Sequence, residues 1–472
     1  MHVFDLSSNT PDTPVLSLRS NSSTHLAAPL AISDRWLLVR GSITDIGGAD
    51  TGTVLVYDLS RATPAVPALI LSNPGAKADD FFGLSLAISG DWAVVGAALD
   101  DSSGLNSGRA YVYHLNAANP TVPILVLPNP EPANEDQFGE AVAISGMRVV
   151  IGTPHDDPHF WDSGSVYLYD IAGAAPTKPV ATIRNPNSPP DQRFGIAVAI
   201  SGPRLVVGAW GTELYNSSTG SAYVFDLSSA SPNTPIFTLN NPSPAYEDAF
   251  GLSISISGTR VAIGAPQDDT GEENAGSVYL YDLAGPSATI PMATLQSPAR
   301  GFRGRFGSAL ALTTNHLIAG APWDDTTAVD KGAVYIYSPN SNDEDGDGLL
   351  DTWELAWWPT IHGHEPRSDF DGDDLTELEE LAFGGNPLIA DHTSAPAPTL
   401  EGGYLTMTLN KYPGAVYEVQ TAGTLSPAEP LSFSSSSTTI LMETPTTLKV
   451  RDNFPLGTEQ ARFMRVQVTG AP

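Results

Sequence analysis

Short apolar runs, each closed by Gly, Pro, Asn or Asp, fill the first 340 residues of the chain. In runs such as Val166-Tyr167-Leu168-Tyr169, aromatic and aliphatic residues alternate, which suits a strand packed on both faces. The order of the runs repeats. Phe-Gly stands at Phe82-Gly83, Phe138-Gly139, Phe194-Gly195, Phe250-Gly251 and Phe306-Gly307, each step being 56 residues. Ala-Ile-Ser begins at Ala31, Ala87, Ala143 and Ala199, with Ser255-Ile256-Ser257 and Ala311-Leu312-Thr313 in register. An apolar run ending in Gly comes next, as in Val94-Val95-Gly96 and Val150-Ile151-Gly152. The alternating run follows, then a short segment ending near Asn129-Pro130, Asn185-Pro186 or Asn241-Pro242. Each unit therefore predicts four strands, a to d. Small residues in strand a suit a crowded innermost position, and four strands at this period predict a β-propeller blade. The β-branched and aromatic content and the Gly and Pro punctuation exclude a solenoid of helices.

Strand a occurs six times and strand c seven, because residues 2–6 read as an extra strand c and 14–18 as a strand d. After Tyr337 the chain leaves without a strand d. In a ring of six blades, 14–18 would supply that missing outer strand. In a ring of seven, strands a and b of the first blade would lie upstream of Met1. The abrupt start favours seven: Met1-His2-Val3-Phe4 reads as mid-strand, with no basic n-region or apolar h-region, so any signal peptide is expected further upstream.

Phe-Gly followed by Gly264-Ala265-Pro266 or Gly320-Ala321-Pro322, with the variants Gly96-Ala97-Ala98, Gly152-Thr153-Pro154 and Gly208-Ala209-Trp210, resembles the FG-GAP repeat of integrin α-chain propellers and many bacterial surface proteins. The resemblance covers roughly residues 1–340 and implies a propeller used for ligand recognition. One feature departs from it. Integrin-type blades often carry an Asp-x-Asp-x-Asp-Gly calcium loop between strands a and b, whereas Ser89-Gly90-Asp91, Ser145-Gly146-Met147 and Ser201-Gly202-Pro203 here are plain tight turns.

Composition sharpens this picture. The chain has 22 basic and 53 acidic residues, a net charge of −31, which disfavours nucleic acid and anionic lipid as partners. With no cysteine there are no disulfides, thiolate metal sites or cysteine nucleophiles. No apolar run is long enough to span a membrane. Some of the acid decorates the blades. Asp100-Asp101, Asp156-Asp157, Asp268-Asp269 and Asp324-Asp325 fall in b–c loops, and Asp80, Asp136 and Asp248 in d–a loops. Both loop sets are expected on one face. Such a ring would bind cations weakly or dock a basic partner, or else its side chains cap turns by accepting backbone N–H groups. Two neighbouring b–c loops break the pattern, one with His155, His159, Phe160 and Trp161, the other with Trp210, Glu213 and Tyr215. Their aromatics would stack on sugars, seat a peptide or pack between blades. The two His give a weak hint of metal binding.

The densest acid lies in residues 342–391, with 15 Asp or Glu against one Arg. Asp343, Asp345, Asp347, Leu349, Asp351 and Glu354 occupy positions 1, 3, 5, 7, 9 and 12 of a loop whose Gly348 takes the sharp turn. Calcium takes six to eight oxygens, and this spacing wraps three carboxylates, one carbonyl (Leu349) and a bidentate Glu around one ion. Asp369, Asp371, Asp373, Leu375, Glu377 and Glu380 repeat the spacing 26 residues on, with Asp374 in place of the Gly. Short helices are expected over 350–357 and 375–383, the second capped by Gly384-Gly385. No incoming helices precede the loops, so the pattern resembles thrombospondin type 3 and dockerin-like calcium repeats. Such modules bind at roughly 10⁻⁴–10⁻³ M, which fits an extracellular medium.

Beyond a linker at 393–398, runs at 404–409, 416–420, 439–442, 447–451 and 463–468 read as strands of a small β-sandwich, similar to the C-terminal β-domains of bacterial exported proteins. The whole is expected to be all-β: a propeller over 1–340, a calcium spacer over 341–392 and a sandwich over 393–472. No His/Asp/Ser set, phosphate loop or HExxH motif is present, so the expected function is non-catalytic: a secreted recognition or adhesion protein with Ca²⁺ as its cofactor and an extracellular protein or carbohydrate as its ligand. Two alternatives stay open. One is a propeller-based polysaccharide hydrolase or lyase with paired carboxylates such as Asp156-Asp157 as acid and base. The other is a structural component of a surface assembly.

Overall fold

The protein is described by a computed structural model. It describes residues 1–6, 13–18, 25–42, 51–75, 79–186, 191–211, 219–245, 247–270, 272–285, 288–297, 303–324, 331–337, 354, 368–372, 375–383, 387–388, 396–410, 415–422, 434–443, 447–455 and 463–470. The chain divides into two compact units, Met1–Ile336 and Tyr337–Pro472.

The first unit is built of successive antiparallel sheets in which strand a pairs b, b pairs c and c pairs d. One of them joins Ala141–Ser145, Arg148–Thr153, Ser165–Asp170 and Ala181–Arg184 in that order. Among the described residues there are five such four-stranded sheets, a three-stranded sheet ending at Ala333–Tyr337, and a two-stranded sheet of His2–Phe4 and Pro14–Ser17. Innermost strands of consecutive sheets lie beside one another, the arrangement of propeller blades. Strand b explains the pattern of the sequence. It is buried on both faces, so its alternate residues enter different cores: Ala93, Val95 and Ala97 face one interblade cluster, and Val94 faces the next with Phe138, Ile151 and Tyr167. The hydrophobic effect thus acts between blades, and each blade needs its neighbours.

The repeat motif marks where blades meet. The amide of the Phe-Gly glycine donates to the carbonyl of the glycine one residue before the end of strand b, as in Gly139 to Gly152 at 3.0 Å and Gly195 to Gly208 at 2.9 Å. Gly152 in turn faces the next blade so closely that an added Cβ would lie 2.0 Å from the Gly195 carbonyl oxygen. Only glycine fits there. The Phe ring packs on the first Tyr of strand c, with centroids 5.7 Å apart for Phe138–Tyr167 and 5.5 Å for Phe250–Tyr279.

In the second unit, Thr399–Glu401, Tyr404–Asn410, Thr447–Pro455 and Thr438–Glu443 form one sheet, and Ala415–Ala422 pairs Phe463–Gly470 in another. Met407, Leu409, Leu448 and Val450 of the first sheet share a core with Val419, Met464 and Val466 of the second, which is the expected sandwich. The helix Glu377–Phe383 starts two residues later than expected because Thr376 caps it. Its hydroxyl and amide meet the Glu379 carboxylate at 2.9 and 3.1 Å, a capping box. Tyr417 holds the other end, donating to the Ala382 carbonyl at 2.8 Å.

Candidate functional site

Three places gather charge: the repeated aspartates of the propeller, one blade boundary that breaks the repeat, and the second acidic loop.

The aspartates of the repeat act as turn caps. Asn129 Nδ2 and the Ala133 amide both donate to Asp136 Oδ2, at 2.7 and 2.6 Å, and Asn241 and Ala245 hold Asp248 in the same way at 2.6 Å each. Asn73 donates to Asp80 at 2.6 Å. In the b–c loops, Tyr279 donates to Asp268 and Tyr335 to Asp324, each at 2.7 Å, while the Thr270 amide caps the other oxygen of Asp268. Asp157, named above with Asp156 as a possible acid–base pair, accepts the Asp162 amide at 2.7 Å, and Asp156 lies buried beside Tyr167. Turn chemistry therefore explains this repeated acid. It stores strain as well, because burial pushes Asp136 up to about 6, with Asp156 and Asp157 adding repulsion and the Ala133 amide and Asn129 opposing. Burial pushes Asp156 and Asp248 up too. Asp325 lies outside the described residues.

The b–c loop of each blade docks on the d–a loop entering the next: the Glu135 amide donates to Leu105, and those of Asp191 and Arg193 donate to Trp161 and Asp162. At this last boundary the repeat is broken by polar groups. Glu140 stands where Leu84, Ile196, Leu252 and Ser308 stand in other blades. Its Oε2 lies 3.6 Å from Nε2 of His155, whose Nδ1 is 3.1 Å from Asp162 Oδ1. Asp191, 1% exposed, lies 3.6 Å from Arg193 Nε, and neither of its carboxylate oxygens accepts a hydrogen bond. Arg193 sits over the Trp210 ring at 5.7 Å. Burial pushes the carboxyls of Glu140 and Asp191 up, against the pull of His155 and Arg193. Phe160 and Trp161 are 56% and 53% exposed, so they face solvent and do not pack between blades. Glu213 and Tyr215 lie outside the described residues. The sequence reading picked out His155, Phe160, Trp161 and Trp210 but missed Glu140, Asp162, Asp191 and Arg193. The change from uncharged residues to a carboxylate at Glu140 was the signal available.

Of the acidic loops, Asp343, Asp345, Asp347, Leu349, Asp351 and Asp373 lie outside the described residues, as do Asp374 and Gly384-Gly385. Glu354 is buried. In the second loop the Gly372 amide donates to Asp369 at 2.8 Å, and the left-handed turn is taken by Gly372 at φ +80°. The Phe370 amide donates to Glu377 Oε1 at 3.0 Å and the Glu377 amide to the Ser368 carbonyl at 3.0 Å, closing the loop onto the helix. Glu377 and Glu380 are buried at the start of that helix, and Glu377 Oε2 has no hydrogen-bond partner. A buried carboxylate oxygen with nothing to bond fits a cation ligand. Among the described residues, no three His, Asp or Glu side chains are arranged to grip one metal ion. No helix among them is long and apolar enough to cross a membrane.

Five segments, residues 70–113, 129–169, 180–225, 243–281 and 302–337, match the family model described as FG-GAP repeat. With the sheets above, this makes the first unit an FG-GAP β-propeller. No curated protein matches the chain. Among solved structures, the β-propeller domain of the trilobed protease from Pyrococcus furiosus is similar to it at 11% identity and a TM-score of 0.40, covering 67% of this chain and 84% of that one.

Proposed function

We propose that this is a secreted or cell-surface recognition and adhesion protein, non-catalytic, whose propeller presents the ligand-binding face and whose acidic segment is a calcium-stiffened spacer. The observation that carries the reading is the broken blade boundary. Asp80, Asp136 and Asp248 repeat one turn cap in their d–a loops, and this boundary carries Gln192 in that column beside a polar, aromatic-flanked patch. Calcium would be held by Asp343, Asp345, Asp347, the Leu349 carbonyl, Asp351 and Glu354 in the first loop. Asp369, Asp371, Asp373, the Leu375 carbonyl, Glu377 and Glu380 would hold it in the second. It supplies the charge that lets so many carboxylates pack together; without it the segment has too little core to order itself. The test is binding of the full chain to immobilised glycans and matrix proteins, in millimolar calcium and in chelator. Saturable binding to one class supports the reading, and its loss in chelator places calcium in the mechanism. A chain that binds nothing in either condition refutes it.

A further inference from the structure

The face that a four-stranded blade turns to the next is covered, and the three-stranded sheet departs from this. Val166 and Leu168 in strand c, like Val278 and Leu280 two repeats on, are buried. The cover comes from the Phe of Phe-Gly and the strands of the following blade, as Phe138, Val149, Ile151 and Tyr167 enclose Ala110 and Val112 of the blade before. Val334 and Ile336 hold the same two columns in the three-stranded sheet and are 66% and 47% exposed, with Ile318 half-buried beside them. Gly320 is an independent sign. At Gly96, Gly152, Gly208 and Gly264, in its column, an added Cβ would lie 2.0–2.3 Å from the carbonyl oxygen of the next Phe-Gly glycine. At Gly320 the nearest atom is Ala309 Cβ of the same sheet, at 3.6 Å, and its φ lies outside the left-handed region. Neither backbone nor neighbours require glycine there, whereas an incoming Phe-Gly carbonyl would. At the start of the row, His2–Phe4 and Pro14–Ser17 pair as a two-stranded sheet. Val3 and Leu16 pack on Leu37, Val39, Leu55 and Tyr57, as strands c and d of a preceding blade should. Phe4, next to Val3, faces the opposite side and is 44% exposed, although Tyr57, which precedes Asp58-Leu59 as Phe4 precedes Asp5-Leu6, is buried.

We propose that Val334, Ile336, Ile318 and Gly320 form a docking surface for one kind of partner, a β-hairpin built like strands a and b of this repeat and led by a Phe-Gly pair. Its Phe covers Val334 and Ile336, its glycine carbonyl lies on Gly320, and its second strand pairs with the edge of His2–Phe4 that Pro14–Ser17 does not use. Strand addition of this sort joins backbone hydrogen bonds to side-chain burial, and the other blades display the fit. A second copy of this chain has no such hairpin to lend, because Phe82, Phe138, Phe194, Phe250 and Phe306 are all fully buried in their own blades. The inference goes beyond the recognition reading and does not depend on it.

The probe is a synthetic peptide of residues 136–154, which holds Phe138-Gly139 and both strands of one hairpin. It is titrated into the full chain in millimolar calcium, followed by sedimentation and by amide hydrogen exchange over 333–337. Saturable one-to-one binding with slowed exchange there is expected. Val334→Asp in the chain and Phe138→Ala in the peptide should each weaken it about tenfold or more, whereas Val122→Asp, at a similarly exposed site elsewhere, should not. Both chain variants change exposed side chains and are expected to fold. Because a free hairpin is only marginally stable, a second form joins residues 137–165 directly ahead of Met1, so that strands a and b run on into His2–Phe4. This fused chain should show slowed exchange over 333–337, and Val334→Asp should undo it. A fused chain whose 333–337 amides exchange as fast as before overturns the proposal, whatever the free peptide does. So does peptide binding that Val122→Asp weakens as much as Val334→Asp. A chain that self-associates without peptide, and becomes monomeric with Val334→Asp, shows a second copy as the occupant and also overturns it.

Discussion

Replacing Asp136 by Asn separates the turn-cap account of the repeated aspartates from a cation-binding one. Asp136 is 1% exposed, and both of its hydrogen bonds, from Asn129 Nδ2 and the Ala133 amide, go to Oδ2. An Asn carbonyl in that place keeps both bonds and carries no charge. The folded protein holds the Asp136 proton up to about 6, against an ordinary 3.8. A carboxyl raised by folding contributes stability that is fully present below its unfolded value and lost as pH rises through the folded one. Wild type should therefore lose stability between roughly pH 4 and pH 6, by at most about 3 kcal/mol from this group, and nearer 1–2 kcal/mol once solvent screening at the loop is allowed for. The assay is urea unfolding of wild type and Asp136→Asn at pH 4.5, 5.5, 6.5 and 7.5, with calcium and with chelator. The variant's advantage should be smallest at pH 4.5, where about a third of the effect is already present, and greatest at pH 7.5, equally so in either buffer. If the variant is instead less stable at pH 7.5, and the deficit disappears in chelator, the carboxylate is held by a bound cation and the turn-cap account is wrong.

Other changes probe the scaffold and the second unit. Gly152→Ala drives a Cβ to 2.0 Å from the Gly195 carbonyl and should abolish the cooperative thermal transition of the propeller, whereas Gly146→Ala, with nothing within 4 Å but φ +59°, should cost only about 1 kcal/mol. Tyr279→Phe removes the 2.7 Å bond to Asp268 and should lower propeller stability by about 1–3 kcal/mol in denaturant, because a buried charged acceptor loses a donor. Thr376→Ala removes the hydroxyl of the capping box and should cost the second unit about 1 kcal/mol, read from its thermal midpoint. Calcium should protect the acidic segment from proteolysis, and Glu380→Gln should raise the calcium concentration needed about tenfold by removing the charge of one proposed ligand.

The blades were legible because a strand buried on both faces has a rigid period of two, and because Phe82-Gly83, Phe138-Gly139 and their counterparts mark a contact only Phe and Gly satisfy. The sandwich strands were legible for the same reason: four of the five expected ones fall within about two residues of their bounds, the fifth runs on from 451 to Pro455, and Thr399–Glu401 was not expected. What the sequence hid is the outcome of competition between equally reasonable partners. Asp136 reads identically as a cation ligand or a turn cap until Asn129, seven residues away, is seen donating to it. Phe160 and Trp161 read identically as interblade packing or as an exposed platform until their exposure is known. Glu140 and Asp191 lie 51 positions apart in the chain, and only the docking of a b–c loop on the next d–a loop brings them together. Yet the repeat itself holds a usable signal. Where a column of a repeat is filled by uncharged residues, an outlier stands out, and Glu140 among Leu84, Ile196, Leu252 and Ser308 is a charge that the other blades fold without. In a propeller whose blades repeat one packing solution the departures stand out, and in this chain the boundary between His155 and Arg193 is where half-buried charge replaces it.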